Sequence, residues 1–324
     1  MSKDFHIPVM VEEVLALLDV KENGVYVDAT IGAGGHSEKI LSQLKNGILI
    51  GIDIDPEAIK ISSERFRDDK RVRLFNANYS DIEKVLNEVG VEEVDGILID
   101  AGLSSFALDD PKRGFSFQVD GPLDMRMNPS FNFTAYDLLF SVDEKILTKI
   151  LKDYGDVPKP RKVAKTIIKR RVEGKLSGVL DLVEAIREAY STLKKIPEET
   201  RQVFQAIRIA VNDELNSLKK CLIKGFNKLK VGGRFAVITF HSGEDRIVKS
   251  FFMMVSHHRK LETKDGRLIS VIEPVAKLLT PKPIVPSNDE IYRNPRAKSA
   301  KLRAIEKIRM EKYSFDEVGG IWNG

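Results

Sequence analysis

A glycine-rich turn near the start of the chain has the composition of a ligand-binding loop. Asp28 precedes the turn, Gly32, Gly34 and Gly35 form it, and His36 follows where a helical pattern begins. Glycines at these places allow a tight turn and let a ligand approach backbone amides at a helix N-terminus. The run therefore predicts a binding loop, although glycine-rich turns also serve as plain connectors.

Two more acidic residues end apolar runs of the strand type. Asp53 ends the run at 48–53, and Asp100 ends the run at 94–100. Open α/β sheets bind their ligands at the carboxyl ends of the strands, so both carboxylates are expected at a binding edge. Ser104 and Ser105 follow closely and are candidate partners for an acid buried there.

The sequence of the glycine-rich loop favours one class of cofactor over two others. A dinucleotide loop needs glycine at its first, third and sixth positions, and the sixth position counted from Gly32 is Ser37. The phosphate-binding run G-x-x-x-x-G-K-[ST] does not occur. An acid before the glycines suits an S-adenosylmethionine loop, in which Asp28 would face the charged methionine moiety and Asp53 the ribose hydroxyls. S-adenosylmethionine is thus the predicted cofactor, with NAD as the alternative.

Two other polar residues have competing interpretations. Asp55 precedes Pro56, and this pair is typical of a helix cap followed by the first helical residue, so we assign Asp55 to capping. His241 follows a predicted strand and is either a catalytic base or a hydrogen-bonded structural residue.

The elements that must position these residues alternate between strand and helix. Predicted strands cover 25–28, 48–53, 72–75 and 94–100, with helical periodicity between them. This pattern predicts an α/β fold with a doubly wound, Rossmann-like sheet. The sheet is expected to resume at 234–240 and to close with strands at 268–272 and 297–308.

A helical segment interrupts this alternation. Residues 101–126 are rich in Gly, Pro, Ser and Asp, which predicts a long functional loop, and helical periodicity follows from 133 to about 212. One long helix is expected to run from 200 through Leu222. We therefore predict a first part of the α/β domain at 1–108, an inserted helical domain at 109–212, and a second part of the α/β domain at 213–324.

Composition excludes several classes of protein. Hydrophobic residues make up 42% and charged residues 31%, which is typical of a globular chain rather than a disordered one. No apolar stretch is long enough for a membrane helix, so no membrane partner is expected and a cytoplasmic location is predicted. Cys221 is the only cysteine, which excludes an internal disulfide and a thiolate zinc cluster, and no metal site is predicted.

Basic residues cluster in two places although the net charge is only +4. Between 159 and 175 there are eight Lys or Arg residues against one acid, and a second cluster spans 293–312. Each cluster is either a phosphate-binding surface or a solvated helix face.

Taken together, these motifs resemble the RsmH (MraW) family. The longest run that carries the resemblance is Asp-Gly-Pro-Leu-Asp-Met-Arg-Met at 120–127. The other runs lie in the same order along nearly the whole chain, at 6–10, 28–37, 51–56, 113–117, 204–209, 240–242, 244–249 and 294–299.

The resemblance implies that the α/β parts at 1–108 and 213–324 form an S-adenosylmethionine-dependent methyltransferase domain and that the helices at 109–212 form a substrate-recognition domain. It also implies a substrate and a set of contacts. Members of this family are bacterial enzymes that transfer a methyl group from S-adenosylmethionine to N4 of a cytidine in the decoding region of 16S ribosomal RNA. The implied partner is 16S ribosomal RNA or the small ribosomal subunit. The cofactor contacts implied by the family are Gly34, Gly35, His36, Asp53, Tyr79 and Asp100, with the Tyr79 ring against adenine. Ala107 stands where relatives often have Gln, which puts that family contact in doubt.

Methyl transfer to an exocyclic amine depends mainly on positioning, because the amine must lie in line with the reacting methyl group. A hydrogen-bond acceptor on its N–H would help, and Asp100, Ser104 and Ser105 are the catalytic candidates. Phe115 and Phe117 either stack on an extruded base or belong to the core. An NAD-dependent enzyme and a non-catalytic RNA-binding protein remain the alternative functions.

Overall fold

The chain forms two compact units. A computed structural model describes residues 8–191, 195–262 and 268–322. One unit combines Met1–Gly102 with Leu215–Gly324, and the other is Leu103–Glu214. The second unit therefore begins at Leu103 and the first unit resumes at Leu215, whereas the sequence predicts these two boundaries at 109 and 213. His6 and Ile7, which belong to the first run of the family resemblance, lie outside the described residues.

A seven-stranded sheet forms the centre of the first unit. All strands are numbered in chain order, and β6 (Arg259–Glu262) and β7 (Leu268–Ile272) belong to a second sheet. The strands of the seven-stranded sheet are β1 (Val25–Asp28), β2 (Ile48–Asp53), β3 (Val72–Asn76), β4 (Val94–Asp100), β5 (Leu229–Thr239), β8 (Ala276–Leu278) and β9 (Lys301–Lys307). The order is β3-β2-β1-β4-β5-β9-β8, with β1 to β5 parallel and β9 antiparallel to both β5 and β8. The predicted fold class is confirmed, and the strand order reverses between β1 and β4, where such sheets bind ligands.

Helices cover both faces of this sheet because the strands are apolar on both sides. The helices of the first unit are α1 (Val11–Leu18), α2 (Gly35–Gln43), α3 (Pro56–Arg65), α4 (Ile82–Val89), α11 (Glu214–Lys228), α12 (Ser242–Ser256), α13 (Asn288–Arg293) and α14 (Phe315–Val318). Tyr26 of β1 packs with α1 and α2, whereas its neighbour Val27 packs in the core formed with α4, α11 and α12. Successive strand residues therefore support opposite layers.

The prediction for the end of the sheet is wrong in one strand. Residues 268–272 do form a strand, β7 (Leu268–Ile272), but it pairs with β6 (Arg259–Glu262) in a separate two-stranded sheet. The strand that ends the main sheet beside β9 is β8 instead. Strand propensity indicates that a segment is extended, but it does not identify the pairing partner.

The described residues of the second unit form six α-helices. They are α5 (Ser105–Asp109), α6 (Ala135–Ser141), α7 (Glu144–Gly155), α8 (Pro160–Val172), α9 (Val179–Tyr190) and α10 (Thr200–Asn212). The expected single helix from 200 through 222 breaks at Asp213, whose φ is 49°. Asn212 fixes this end because its amide accepts a hydrogen bond from Met127 N (2.7 Å) and donates one to Met125 O (2.7 Å). None of the helices within the described ranges combines the length and apolar character of a membrane-spanning segment.

Two cations of the second basic cluster, Arg303 and Lys307, are buried in the fold rather than exposed at the surface. Lys307 is fully buried, and its Nζ donates to Phe226 O (3.1 Å) and Leu229 O (2.9 Å), where α11 ends. Burial lowers the pKa of Lys307. Arg303 Nε donates to Asp245 Oδ1 at 2.7 Å. These two cations therefore hold strand β9 against its neighbours and are not phosphate ligands.

Candidate functional site

The glycine loop continues the sheet before it turns into α2. Ala29 N donates to Leu98 O of β4 and Ile31 N donates to Ile52 O of β2, both at 2.9 Å. Gly32 and Gly34 then adopt φ values of +53° and +82°. These left-handed values favour glycine, and they aim the start of α2 at the switch point of the sheet.

Side chains of helix α3 support the loop by donating hydrogen bonds to two of the loop's carbonyl groups. Ser62 Oγ donates to Gly32 O, and Arg65 donates to Ala33 O, both at 2.7 Å. A Cβ atom at Gly34 would lie 2.5 Å from the Phe66 ring. The loop is therefore held in one conformation by contacts on its far side.

Asp28 is buried beneath the loop. Its Oδ2 accepts from Ser37 Oγ at 2.7 Å, and its Oδ1 accepts from Thr30 N at 3.3 Å. Burial raises the pKa of Asp28 and Asp100 adds to the rise, while His36 and these two hydrogen bonds oppose it. Asp28 is therefore bonded to both ends of the loop, at Thr30 and at Ser37.

Asp53 joins the loop to the next βα connection. Its Oδ2 accepts from Gly32 N and its Oδ1 accepts from Asp55 N, both at 2.9 Å. Loss of hydration raises the pKa of this partly exposed residue to about 7, against the effect of both N–H donors. Asp55 caps α3 by accepting from Glu57 N at 3.0 Å, which confirms its predicted capping role.

His36 connects the loop helix to the end of β4. Its Nε2 lies 2.8 Å from Val9 O, and a carbonyl oxygen can only accept, so Nε2 carries the proton. Its Nδ1 then faces Asp100, 3.7 Å from Oδ2. The Asp100 N–H donates to Thr30 Oγ1 at 2.6 Å, which anchors the end of β4 to the loop.

Tyr79 lies beyond β3, in a one-turn 3-10 helix at Tyr79–Asp81. Asn78 caps this turn by accepting from Ser80 N at 2.8 Å, and Ala77 N donates to Asp53 O at 3.0 Å. The Tyr79 ring is half-buried and packs against the sheet core. One side of the ring is thereby fixed while part of it stays exposed.

The catalytic candidates belong to different units. Asp100 ends β4 in the first unit, whereas Ser104 precedes α5 in the second, where its carbonyl accepts from Leu108 N at 3.1 Å. Ser105 begins α5, and its side chain lies outside the described part of the structure.

The aromatic side chains considered for base stacking belong to the core of the second unit. Phe115 is buried, and the Phe117 ring meets Phe204 edge-on at 5.6 Å. The core interpretation of both residues is therefore correct.

His241 has a structural role. Its Nδ1 accepts from Glu244 N at 3.4 Å, and its Nε2 lies 3.1 Å from Glu244 Oε1, so the ring caps α12. Its side chain is only 7% exposed. The structural interpretation is therefore favoured over that of a base.

The first basic cluster is also partly structural. Arg171 donates to Leu139 O (2.7 Å) and Val142 O (2.8 Å), while Lys169 and Arg170 lie within ion-pair distance of Glu188. Arg161 and Lys175 are likewise at ion-pair distance, from Glu144 (3.5 Å) and Glu173 (2.9 Å). The exposed cations of this cluster that are left as candidates for phosphate binding are Lys159, Lys162 and Lys165.

Thr30 and Ser37 are site residues that the sequence interpretation did not identify. Thr30 anchors Asp100, and Ser37 donates to Asp28. The sequence shows a hydroxyl group at both positions: Thr30 lies at the start of the loop, and Ser37 lies in the first turn of α2. A buried carboxylate such as Asp28 requires hydrogen-bond donors, and Ser37 Oγ is one of them.

The conformation of the loop gives a testable expectation. Gly34→Ala should lower the free energy of unfolding by about 2–4 kcal/mol, because the left-handed φ and the contact with Phe66 both oppose a methyl group. Gly90→Ala is the matched control, since Gly90 has φ +76° and nothing lies within 4 Å of its Cβ position, so only about 1–2 kcal/mol is expected. Urea denaturation of both variants measures the difference, and equal losses would contradict this account of the loop.

The arrangement favours a cationic ligand. Asp28, Asp53 and Asp100 end β1, β2 and β4, and Asp100 raises the pKa of Asp28 while Asp53 binds the same loop through Gly32 N. A pyrophosphate group would be repelled by these carboxylates, whereas a sulfonium or ammonium group would be attracted.

Comparison with known proteins finds one family model and relatives of one name that match almost the whole chain. Residues 3–308 match the family model of the MraW methylase family. The chain is 44% identical over 305 residues to ribosomal RNA small subunit methyltransferase H of Clostridium botulinum (strain Kyoto / Type A2), covering 94% of this chain and 99% of the relative. It is 43% identical over 308 residues to the protein of the same name from Caldicellulosiruptor saccharolyticus, with the same coverage. Among solved structures, an rRNA methylase from Streptococcus thermophilus aligns with a TM-score of 0.40 and 12% identity, covering 94% of this chain and all of that one.

Proposed function

The chain belongs to the MraW methylase family, and from this membership we propose that it transfers the methyl group of S-adenosylmethionine to N4 of a cytidine in 16S ribosomal RNA. The observation that carries the proposal is the family match over residues 3–308. Relatives at 43–44% identity bear the name of a small subunit ribosomal RNA methyltransferase, which supports the class of substrate. The choice of cytidine N4 rests on the family resemblance of the sequence motifs.

The residues at the carboxyl edge fit S-adenosylmethionine. When bound, this cofactor supplies an electrophilic methyl group on a sulfonium centre. Asp28 and Asp100 would offset its positive charge, Asp53 would accept from the ribose hydroxyls, and the exposed part of Tyr79 would stack on adenine. Gly32, Gly34, Gly35 and His36 would form the wall of the loop.

Asp100 is the residue proposed to act on the target amine. It ends β4 with its backbone fixed by Thr30, and its Oδ2 lies 3.7 Å from His36 Nδ1. A carboxylate that accepts from the amine N–H would hold the lone pair toward the methyl group and could receive a proton afterwards. Ser104 and Ser105 remain the alternative acceptors.

A calorimetric titration separates this proposal from an NAD-dependent enzyme. S-adenosylmethionine is expected to bind, and NAD is expected to bind far more weakly, because Ser37 stands where a dinucleotide loop needs its third glycine and Asp28 lies beneath the same loop. Tighter binding of NAD would contradict the proposed function.

The pKa of Asp53 predicts a pH dependence of cofactor binding. Its carboxyl group has a pKa of about 7, and the charged form accepts hydrogen bonds from ribose hydroxyls better than the protonated form. A carboxyl group becomes charged only as the pH rises through its pKa. Affinity for S-adenosylmethionine should therefore increase about tenfold between about pH 6 and about pH 8.

The control for this pH dependence is Asp53→Asn, which cannot titrate. Its affinity should be lower than that of the wild type at pH 8, and it should vary much less over the same pH range. A wild-type affinity that does not change with pH would show that Asp53 does not receive the ribose.

A further inference from the structure

A short segment of the first unit carries an exposed aromatic ring next to exposed cations. Tyr292 lies in α13 with 89% of its surface exposed. Arg293 ends this helix, and Arg296 and Lys298 lie in the 3-10 turn Pro295–Ser299 that follows, all three exposed. An aromatic side chain with this exposure contributes almost nothing to the core.

The segment is held firmly despite its exposed side chains. Ser287 caps α13 by accepting from Glu290 N at 3.2 Å, and Asn294 N donates to Glu290 O at 2.7 Å. Met10 N donates to Glu290 Oε1 at 2.7 Å, which ties α13 to the start of α1. Ala297 is fully buried beneath the turn. The backbone under Tyr292 is therefore preorganised.

The charges around the ring favour a polyanion. Met10 N donates to the Glu290 carboxylate, and Arg293 Nε donates to the main-chain carbonyl oxygen of Asp289 at 3.3 Å. Neither contact removes a charge, so in the segment 287–299 three cations outnumber two carboxylates and the net charge stays positive. The exposed cations Arg293, Arg296 and Lys298 follow Tyr292 within one turn of α13 and one turn of 3-10 helix. In this respect they differ from Arg303 and Lys307 of the same basic cluster, which are buried.

We infer that this surface, formed by Tyr292, Arg293, Arg296 and Lys298, binds a single-stranded segment of RNA. One base stacks on the Tyr292 ring, and the phosphates beside it contact the three cations. Aromatic rings next to clustered cations are the usual means of holding unpaired nucleotides without reading their sequence. The inference rests on the proposed function, because it takes the ribosomal RNA as the source of that segment.

The test replaces the ring without removing all of its apolar area. Tyr292→Leu should lower the affinity for a fluorescently labelled single-stranded RNA oligonucleotide by about 5- to 150-fold in an anisotropy titration, whereas Tyr292→Phe should keep it. Both variants should unfold at the wild-type temperature because the side chain is exposed. Their affinity for S-adenosylmethionine should also be unchanged.

The cations have their own readout. Changing Arg293, Arg296 and Lys298 to Gln should reduce the slope of log affinity against log salt by about 0.7 for each phosphate that the protein no longer neutralises. Lys60→Gln is the matched control, because Lys60 is an exposed cation on α3 in the same unit, and it should leave the slope unchanged.

Methylation of small ribosomal subunits distinguishes a failure of this inference from a failure of the proposed function. If the wild type methylates subunits, Tyr292→Leu should raise the KM for subunits and leave kcat near the wild-type value. Equal RNA affinity and equal KM in this variant would overturn the inference while the proposed function stands. A wild type that binds RNA but transfers no methyl group would instead refute the proposed function. If Tyr292→Leu binds RNA normally but fails to bind a ribosomal protein, the surface serves a protein partner and the inference is wrong.

Discussion

Asp100→Asn is expected to lower the single-turnover rate of methyl transfer by about 10- to 1000-fold at saturating S-adenosylmethionine. Asn keeps the shape of the side chain but loses the negative charge that would orient the target amine and receive its proton. The backbone contact from Asp100 N to Thr30 Oγ1 does not involve the side chain, so the end of β4 should keep its place. Rapid-quench measurements with excess enzyme isolate the chemical step from product release.

Cofactor affinity separates the two possible roles of Asp100. If Asp100 acts on the amine, affinity for S-adenosylmethionine should change little in the Asn variant. A large loss of affinity with an unchanged rate at saturation would show that Asp100 only holds the cofactor. A rate within about twofold of the wild type would instead leave Ser104 and Ser105 as the candidates for the acceptor.

Asp53→Ala should weaken S-adenosylmethionine binding by about 1.5–3 kcal/mol, or about 10- to 150-fold in Kd. Two effects contribute to the loss. The proposed hydrogen bonds to the ribose disappear, and Gly32 N loses the acceptor that now holds it at 2.9 Å. Calorimetry at pH 8 measures the change where the wild-type carboxyl group is charged.

A second substitution separates these two effects. Ser62→Ala removes the hydrogen bond to Gly32 O on the far side of the loop but leaves the Asp53 carboxylate in place. It should weaken cofactor binding less than Asp53→Ala does. Equal losses in the two variants would assign the effect to loop order alone, and an Asp53→Ala variant with wild-type affinity would remove Asp53 from the site.

The parts of the fold that could be predicted from the sequence are those set by local pattern. Strands β1 to β4 are short apolar runs that end in turn residues or acids, and the structure has them at the expected positions. Asp28, Asp53 and Asp100 could be placed at one edge because parallel strands share their carboxyl ends. The cap formed by Asp55 followed from its position before Pro56.

Features that depend on distant partners could not be predicted in this way. The helix break at Asp213 depends on Asn212, whose side chain bonds to the backbone of residues 125 and 127. Strand β7 has ordinary strand propensity but pairs with β6 outside the main sheet. A lysine such as Lys307 is expected at the surface from its residue type alone. Only the fold shows that its Nζ bonds to carbonyl groups at the end of α11.

Nucleoside analysis of the methylated RNA tests the central proposal most directly. Small ribosomal subunits lacking the modification, and isolated 16S RNA in parallel, are incubated with the protein and S-adenosylmethionine that carries an isotopically labelled methyl group. The RNA is then digested to nucleosides for mass analysis. We expect the label in N4-methylcytidine in at least one of the two substrates. Label on another atom or another base, or no label in either substrate, would contradict the proposed function.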